Sequence, residues 1–240
     1  MIPITSGLSI TNRRPLQFNV NIRSLFVIFG DKDREGEWSI CNWQLAIINS
    51  PFTIDNSRTM TATDKQYDEV IRSCKEIFLR KAMDYGTAWR VLRTISIVDQ
   101  IFIKAQRIRT IQETGKQKVA DDISAEFKGI INYALIGLFQ LDLTENDPEE
   151  MPVERISPMF DEKVGIAKRL MQDKNHDYGE AWRSMSQESF VDLMLMKLQR
   201  IRQILVNEGK TIISEGIDAN YLDIVNYAVF ALILMSEEKV

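Results

Sequence analysis

From Asp64 onward, apolar residues recur at helical spacing. Between Asp64 and Met83 they fall at Val70, Ile71, Cys74, Ile77 and Phe78 with charged residues between them, which predicts an amphipathic helix. A second helix is expected to open on a Ser-x-x-Asp capping box, Ser96 with Asp99, and to close before Gly115. The stretch Ile123 to Leu143 is apolar on most faces, so a helix there belongs at the centre of the fold. The same three patterns then return. Ser157 is read as a cap with Pro158 at the first helical position, Ser189 with Asp192 as a second capping box closing before Gly209, and Ile217 to Met235 as another central helix.

The recurrence is exact enough to align. At an offset of 93, DYGTAWR (Asp84 to Arg90) meets DYGEAWR (Asp177 to Arg183), identical at six of seven positions. Tyr67-Asp68-Glu69 meets Phe160-Asp161-Glu162, and Lys104, Arg107 and Arg109 meet Lys197, Arg200 and Arg202. After one inserted residue the offset is 94, and Asn132-Tyr133-Ala134 meets Asn226-Tyr227-Ala228. This is an internal repeat. It predicts an all-α fold in which two three-helix units pack as a pseudo-twofold bundle: 61–147 as the first repeat, 148–158 as a Pro-rich acidic linker and 159–240 as the second.

Residues 1–60 share none of this and read as a non-repeat, irregular segment. Short extended pieces, Leu25 to Phe29 and Ile40 to Asn49, flank a charged run that leads into Trp38 and Trp43. No function is assigned there, and a shorter chain starting at Met60 is expected to be the complete functional unit.

Composition narrows the class. With 11 Gly and 6 Pro in 240 residues, breakers are scarcer than the average of about 12%, as long helices require. Lys plus Arg is 30 against 34 Asp plus Glu, a net charge of −4, so non-specific nucleic-acid binding is not expected. Two cysteines, Cys41 and Cys74, build neither a disulfide framework nor a cysteine zinc site, and a cytoplasmic setting is expected. The longest uninterrupted apolar stretch, Tyr227 to Met235, falls short of the roughly 18 residues of a membrane span, and no signal-peptide pattern opens the chain.

Candidate chemistry gathers in three places. In the last helix Asn220, Asp223 and Asn226 recur at i, i+3 and i+6 among apolar residues, so Asp223 must meet a cation, either Lys or Arg or a metal. Glu215 and Asp218 add carboxylates one turn apart, an oxygen-rich set of the type that holds magnesium, or anions that complement a helix N-terminus. The first repeat has Asp121, Ser124 and Gly129 in these places, so a single competent site is expected mainly in repeat two.

The second place is the turn Lys174, Asp177, Tyr178, Gly179, Trp182 and Arg183, matched by Lys81, Asp84, Tyr85, Gly86, Trp89 and Arg90. An aromatic plane beside Lys and Arg could stack a base and hold its phosphates, or the Trp could plug the core. The third is the pair Lys197 and Arg200, with Lys104 and Arg107, one cationic pair per repeat, suited to phosphate or to Asp223. Arg109 and Arg202 are read as solvated. His176, replaced by Met83 in the other copy, receives no catalytic role, and no Ser-His-Asp, Cys-His or phosphate-binding Gly-rich arrangement occurs.

The doubled K-x-x-DYG-x-AW-R motif, followed by K-x-x-R and a D-x-x-NYA helix, resembles the nucleotide modification associated domain 1 family over residues 64–236. More distantly the chain is similar to the all-α nucleoside triphosphate pyrophosphohydrolases of the MazG and dimeric dUTPase group. Their E-E-x-x-E motif is missing here, and the nearest counterparts are Glu215-x-x-Asp218 and Asn220-x-x-Asp223.

The family resemblance implies nucleotide chemistry, and together with the carboxylates and cations above it leads to the expectation that a nucleotide or modified deoxynucleotide is bound and hydrolysed with magnesium. Asp223, Glu215 and Asp177 would be catalytic, and Glu215, Asp218 and Asp223 would hold the metal. Lys174, Lys197 and Arg200 would hold phosphates and Tyr178 or Trp182 the base, with Arg183, Asn226 and their repeat-one counterparts Lys81, Asp84, Tyr85, Trp89, Arg90, Lys104 and Arg107 as further binding groups. The alternative is a non-catalytic nucleotide-sensing or partner-binding module in which Asp223 pairs with Lys197 or Arg200. Either reading expects a small-molecule nucleotide and no membrane, and is compatible with a homo-oligomer.

Overall fold

The computed structural model describes residues 60–118, 122–213 and 215–238. The expectations for residues 1–59 and for Asp121 lie outside the described residues. Among the described residues there are six α-helices and no strand: α1 (Ala62–Tyr85), α2 (Thr94–Thr114), α3 (Ile123–Asp142), α4 (Val153–Tyr178), α5 (Gln187–Val206) and α6 (Ile217–Glu237). A turn of 3-10 helix follows α1 at Ala88–Val91 and α4 at Ala181–Ser184. Each repeat is thus one three-helix unit with the AWR segment at its first corner.

The two most apolar helices, α3 and α6, pack on each other at the centre, with α2 against α3 and α5 against both α2 and α6. Helices α1 and α4 each touch both central helices and one another. The arrangement is the expected pseudo-twofold. Phe127, Ile130, Phe139, Phe160, Phe190 and Ile224 are fully buried, and burial of each such side chain stabilises by about 1.5–3 kcal/mol. The central helices approach closely at Gly137, where an added Cβ would lie 2.6 Å from Cζ of Tyr221. By length and composition α6 could cross a membrane, yet in this fold it is the core helix, mostly buried.

Three local expectations are corrected. Helix α2 starts at Thr94 and α5 at Gln187, where Ser186 is the cap and accepts from the Ser189 amide. Asp99 and Asp192 therefore lie beyond the first turn and are not caps. Nor are Arg109 and Arg202 merely solvated: Arg202 Nη2 meets Asp99 Oδ1 at 2.8 Å, and reciprocally Arg109 Nη2 lies 3.8 Å from Asp192 Oδ1. Helix α4 begins at Val153 behind Pro152, leaving Pro158 inside it. The missing amide of Pro158 costs a helical bond, but Ile156 and Phe160, both fully buried, hold the turns on either side against the core. By contrast α1 opens on a complete capping box between Thr61 and Asp64, and α2 closes at Gly115 in the left-handed conformation, φ 63°.

Candidate functional site

The carboxylate of Asp223 is 2% exposed and lies between two lysines. Its Oδ1 accepts a hydrogen bond from Lys174 Nζ at 2.6 Å. Its Oδ2 lies 2.5 Å from Lys197 Nζ, a charge-to-charge contact off the hydrogen-bond direction. Lys197 is itself buried, and its ammonium is 3.8 Å from Glu215 Oε2. Burial, and then the charge of Asp223, raise the Glu215 carboxyl above its ordinary value against the lysines and Arg200. Arg200 itself is exposed. The cation that Asp223 required is therefore supplied by the protein, from α4 and α5 together.

These donors do not fit magnesium. Both Asp223 oxygens already face ammonium groups, Glu215 precedes α6 rather than sharing its face, and Asp218 is exposed with its carboxylate folded back over Gly216. Among the described residues no group of three or more His, Cys, Asp or Glu side chains is placed to hold a metal ion. Asp177 is exposed, with its Oδ1 3.1 Å from His176 Nδ1.

In repeat one the equivalent cations take a different partner. Glu126, at the position of Asn220, accepts from Lys104 at 3.0 Å and from Arg107. Burial works to raise its carboxyl, but the bonds and charges of Lys104 and Arg107 hold it below its ordinary value. With Gly129 at the position of Asp223, Lys81 has no carboxylate or hydrogen-bond partner among the described residues.

Lys81 lies instead on a cleft of about 250 Å3 between the end of α1, the AWR segment and α3. Seven of its twelve lining positions carry the same residue in repeat two, Lys81, Tyr85, Trp89, Asn132 and Tyr133 among them. Three of the differences open it. Where repeat two has Asp223 on Lys174, repeat one has Gly129. Where Asn175 Oδ1 accepts from Trp182 Nε1 at 3.1 Å, repeat one has Ala82. Where Phe230 stacks on Trp182 with ring centroids 4.2 Å apart, repeat one has Ile136. In repeat two these side chains engage the shared lysine and tryptophan; in repeat one smaller residues replace them around the cleft, with the end of Lys104 beside Gly129.

Two polar atoms beside the cleft have no hydrogen-bond partner among the described residues. Trp89 Nε1 and Asn132 Oδ1 are buried and unbonded, although the residues are only 8% and 9% exposed. Gly86, at the rim, has φ +64° and ψ −149°, a conformation that a side chain would strain, with the Glu150 carboxylate lying over it.

The remaining expected binding residues are dispersed. Trp182 plugs the core, 7% exposed, while Tyr178 projects into solvent and Asp84 is exposed. Arg183 covers the Trp182 ring at 4.4 Å and bonds Glu180, Glu237, Thr63 and Gln66. Arg90 bonds Gln140 and the carbonyls of Thr144 and Asp147. Both motif arginines thus close the bundle. Asn226 Nδ2 donates to the Ala167 carbonyl at 3.0 Å, as Asn132 does to Cys74 at 3.1 Å. Sequence reasoning missed Glu126, Ala82 and Ile136, and it read Gly129 only as a lost carboxylate. Comparing residue sizes between the two copies would have found them.

Comparison with curated proteins and with solved structures finds no match. A family model does match, at residues 81–141 and 174–235, one segment in each repeat. Each matched segment begins at the lysine that precedes DYG and ends in the central helix, and the chain belongs to the nucleotide modification associated domain 1 family, in two tandem copies.

Proposed function

We propose that the protein binds a nucleotide in the repeat-one cleft, as a binding module and not as a metal-dependent hydrolase. The observation that carries this reading is the asymmetry at one pair of positions. Lys174 is neutralised by Asp223, whereas Lys81, on the cleft that Gly129 also lines, has no such partner among the described residues and is left for an outside anion. Around Lys81 stand Tyr85, Tyr133 and Trp89, aromatic surfaces suited to a base, and the family's association with nucleotide modification agrees with that chemistry.

Hydrolysis finds less support, because the carboxylates expected to serve it are engaged by lysines. An ion-paired Asp223 is the feature that the binding alternative called for, with Lys174 added to the partners foreseen.

Thermal unfolding of the whole chain against ribo- and deoxyribonucleoside phosphates, with and without magnesium, tests the reading. A ligand present at about 100 times its Kd should raise Tm by about 5–10 °C. That shift should be lost in Lys81→Gln and kept without magnesium. Loss only on removing magnesium, with release of pyrophosphate, would favour hydrolysis instead.

A further inference from the structure

Repeat two describes the ligand of repeat one. Three of its own side chains stand where the other copy has Gly129, Ala82 and Ile136, and each meets a residue that the two copies share. A carboxylate meets the lysine, at 2.6 Å from Lys174. A carbonyl oxygen accepts from the indole N–H, at 3.1 Å from Trp182. A flat ring lies on the tryptophan, 4.2 Å away with an interplanar angle of 6°. The open cleft keeps the lysine and the tryptophan as Lys81 and Trp89, and lacks all three fillers.

A molecule that replaces them carries one compact anionic group, one flat ring, and an acceptor on the ring's edge. A nucleobase supplies the ring and the acceptor on its edge, and a single phosphate supplies the anion.

Resting on the nucleotide reading above, we infer that the ligand is a nucleoside monophosphate and that repeat two is the same site closed by a built-in mimic of it. The charges around the cleft select one phosphate over three. Among the described residues Lys81 is the cleft cation without a partner, because Lys104, whose ammonium lies beside Gly129, is committed to Glu126. The Glu150 carboxylate lies over Gly86 at the rim of the same space and repels further negative charge. The cleft, about 250 Å3, has Lys81 in its lining to meet that phosphate.

Isothermal titration of the intact chain tests this with the standard ribo- and deoxyribonucleoside monophosphates, the matching triphosphates with and without magnesium, and the nucleosides. The expected result is one monophosphate binding at least about tenfold more tightly than its triphosphate and its nucleoside. Two closing variants copy repeat two: Ala82→Asn gives Trp89 the partner that Asn175 gives Trp182, and Gly129→Asp gives Lys81 a carboxylate. Each should weaken that binding at least about tenfold while far-UV circular dichroism stays helical. Gly129→Asp must displace the flexible end of Lys104, 2.9 Å from the new Cβ, so Ala82→Asn stands as the test if that variant fails to fold.

A triphosphate binding as tightly as the monophosphate overturns the inference and leaves nucleotide binding intact. Undiminished binding in both closing variants places the site elsewhere and overturns it too. Binding of none of these compounds overturns the nucleotide reading itself.

Discussion

The phenol of Tyr67 on α1 donates to Asn226 Oδ1 on α6 at 2.9 Å, entirely within the core. The pseudo-twofold counterpart of this bond is missing, because Phe160 stands where Tyr67 stands and Asn132 Oδ1 is unbonded. Tyr67→Phe should destabilise the protein by about 1–3 kcal/mol by orphaning Asn226 as well. Phe160→Tyr should restore the lost symmetry and stabilise by about 1 kcal/mol. Urea unfolding of both variants checks the pair, and a destabilised Phe160→Tyr would mean that the Asn132 side has no room for a hydroxyl.

Asp223 holds a structural position. Asp223→Ala leaves the buried Lys197 ammonium with only the more distant Glu215, and should cost about 3–5 kcal/mol. Replacing both partners, Lys197→Met with Asp223→Leu, should recover most of that loss. The double-mutant cycle reads the coupling directly. If Asp223→Ala unfolds like the native chain, the ion pair is not what fixes α6 against α5.

The close approach of the central helices is expected to be intolerant. Gly137→Ala places a methyl 2.6 Å from the Tyr221 ring, which is fully buried and cannot swing out. A loss of about 1–3 kcal/mol should follow, seen as a lowered Tm.

Acid should weaken repeat one through Glu126. Its carboxyl titrates in the folded state below its ordinary value of 4.5, so the stability it contributes is full above that pH and is lost as pH falls through the folded value. Glu126→Gln should lower stability at neutral pH and flatten its fall below about pH 4.5. Asp147, held at about 2 by the Thr144 amide and Arg155, adds a smaller surface contribution with the same sign. Unfolding free energies of both proteins between neutral pH and pH 3 decide it, and parallel curves would contradict the assignment.

The helices and the duplication were legible because helical spacing and a near-identical heptapeptide are signals that residues carry in their own order. The start of α4 was not, since the rule for Pro158 is local whereas burial of Ile156 is decided by the other helices. Charge partners across the bundle were half legible. Asp223 demanded a cation, but that Lys174 would reach it from α4 depends on how α4 crosses α6. The cleft was misplaced for a physical reason. Counting carboxylates directs attention to repeat two, where they are neutralised, while the opening in repeat one is made by Ala82, Gly129 and Ile136, residues that bear no chemistry.

Hydrogen exchange on the whole chain, with and without the nucleoside monophosphate that binds most tightly, tests the central claim most directly. Binding in the open copy predicts slowed amide exchange around residues 81–92 and 129–136, with the equivalent segments 174–185 and 223–230 unchanged. Protection confined to the repeat-two segments would contradict the account, since it would show the ligand displacing Asp223 and its companions from the copy that they close.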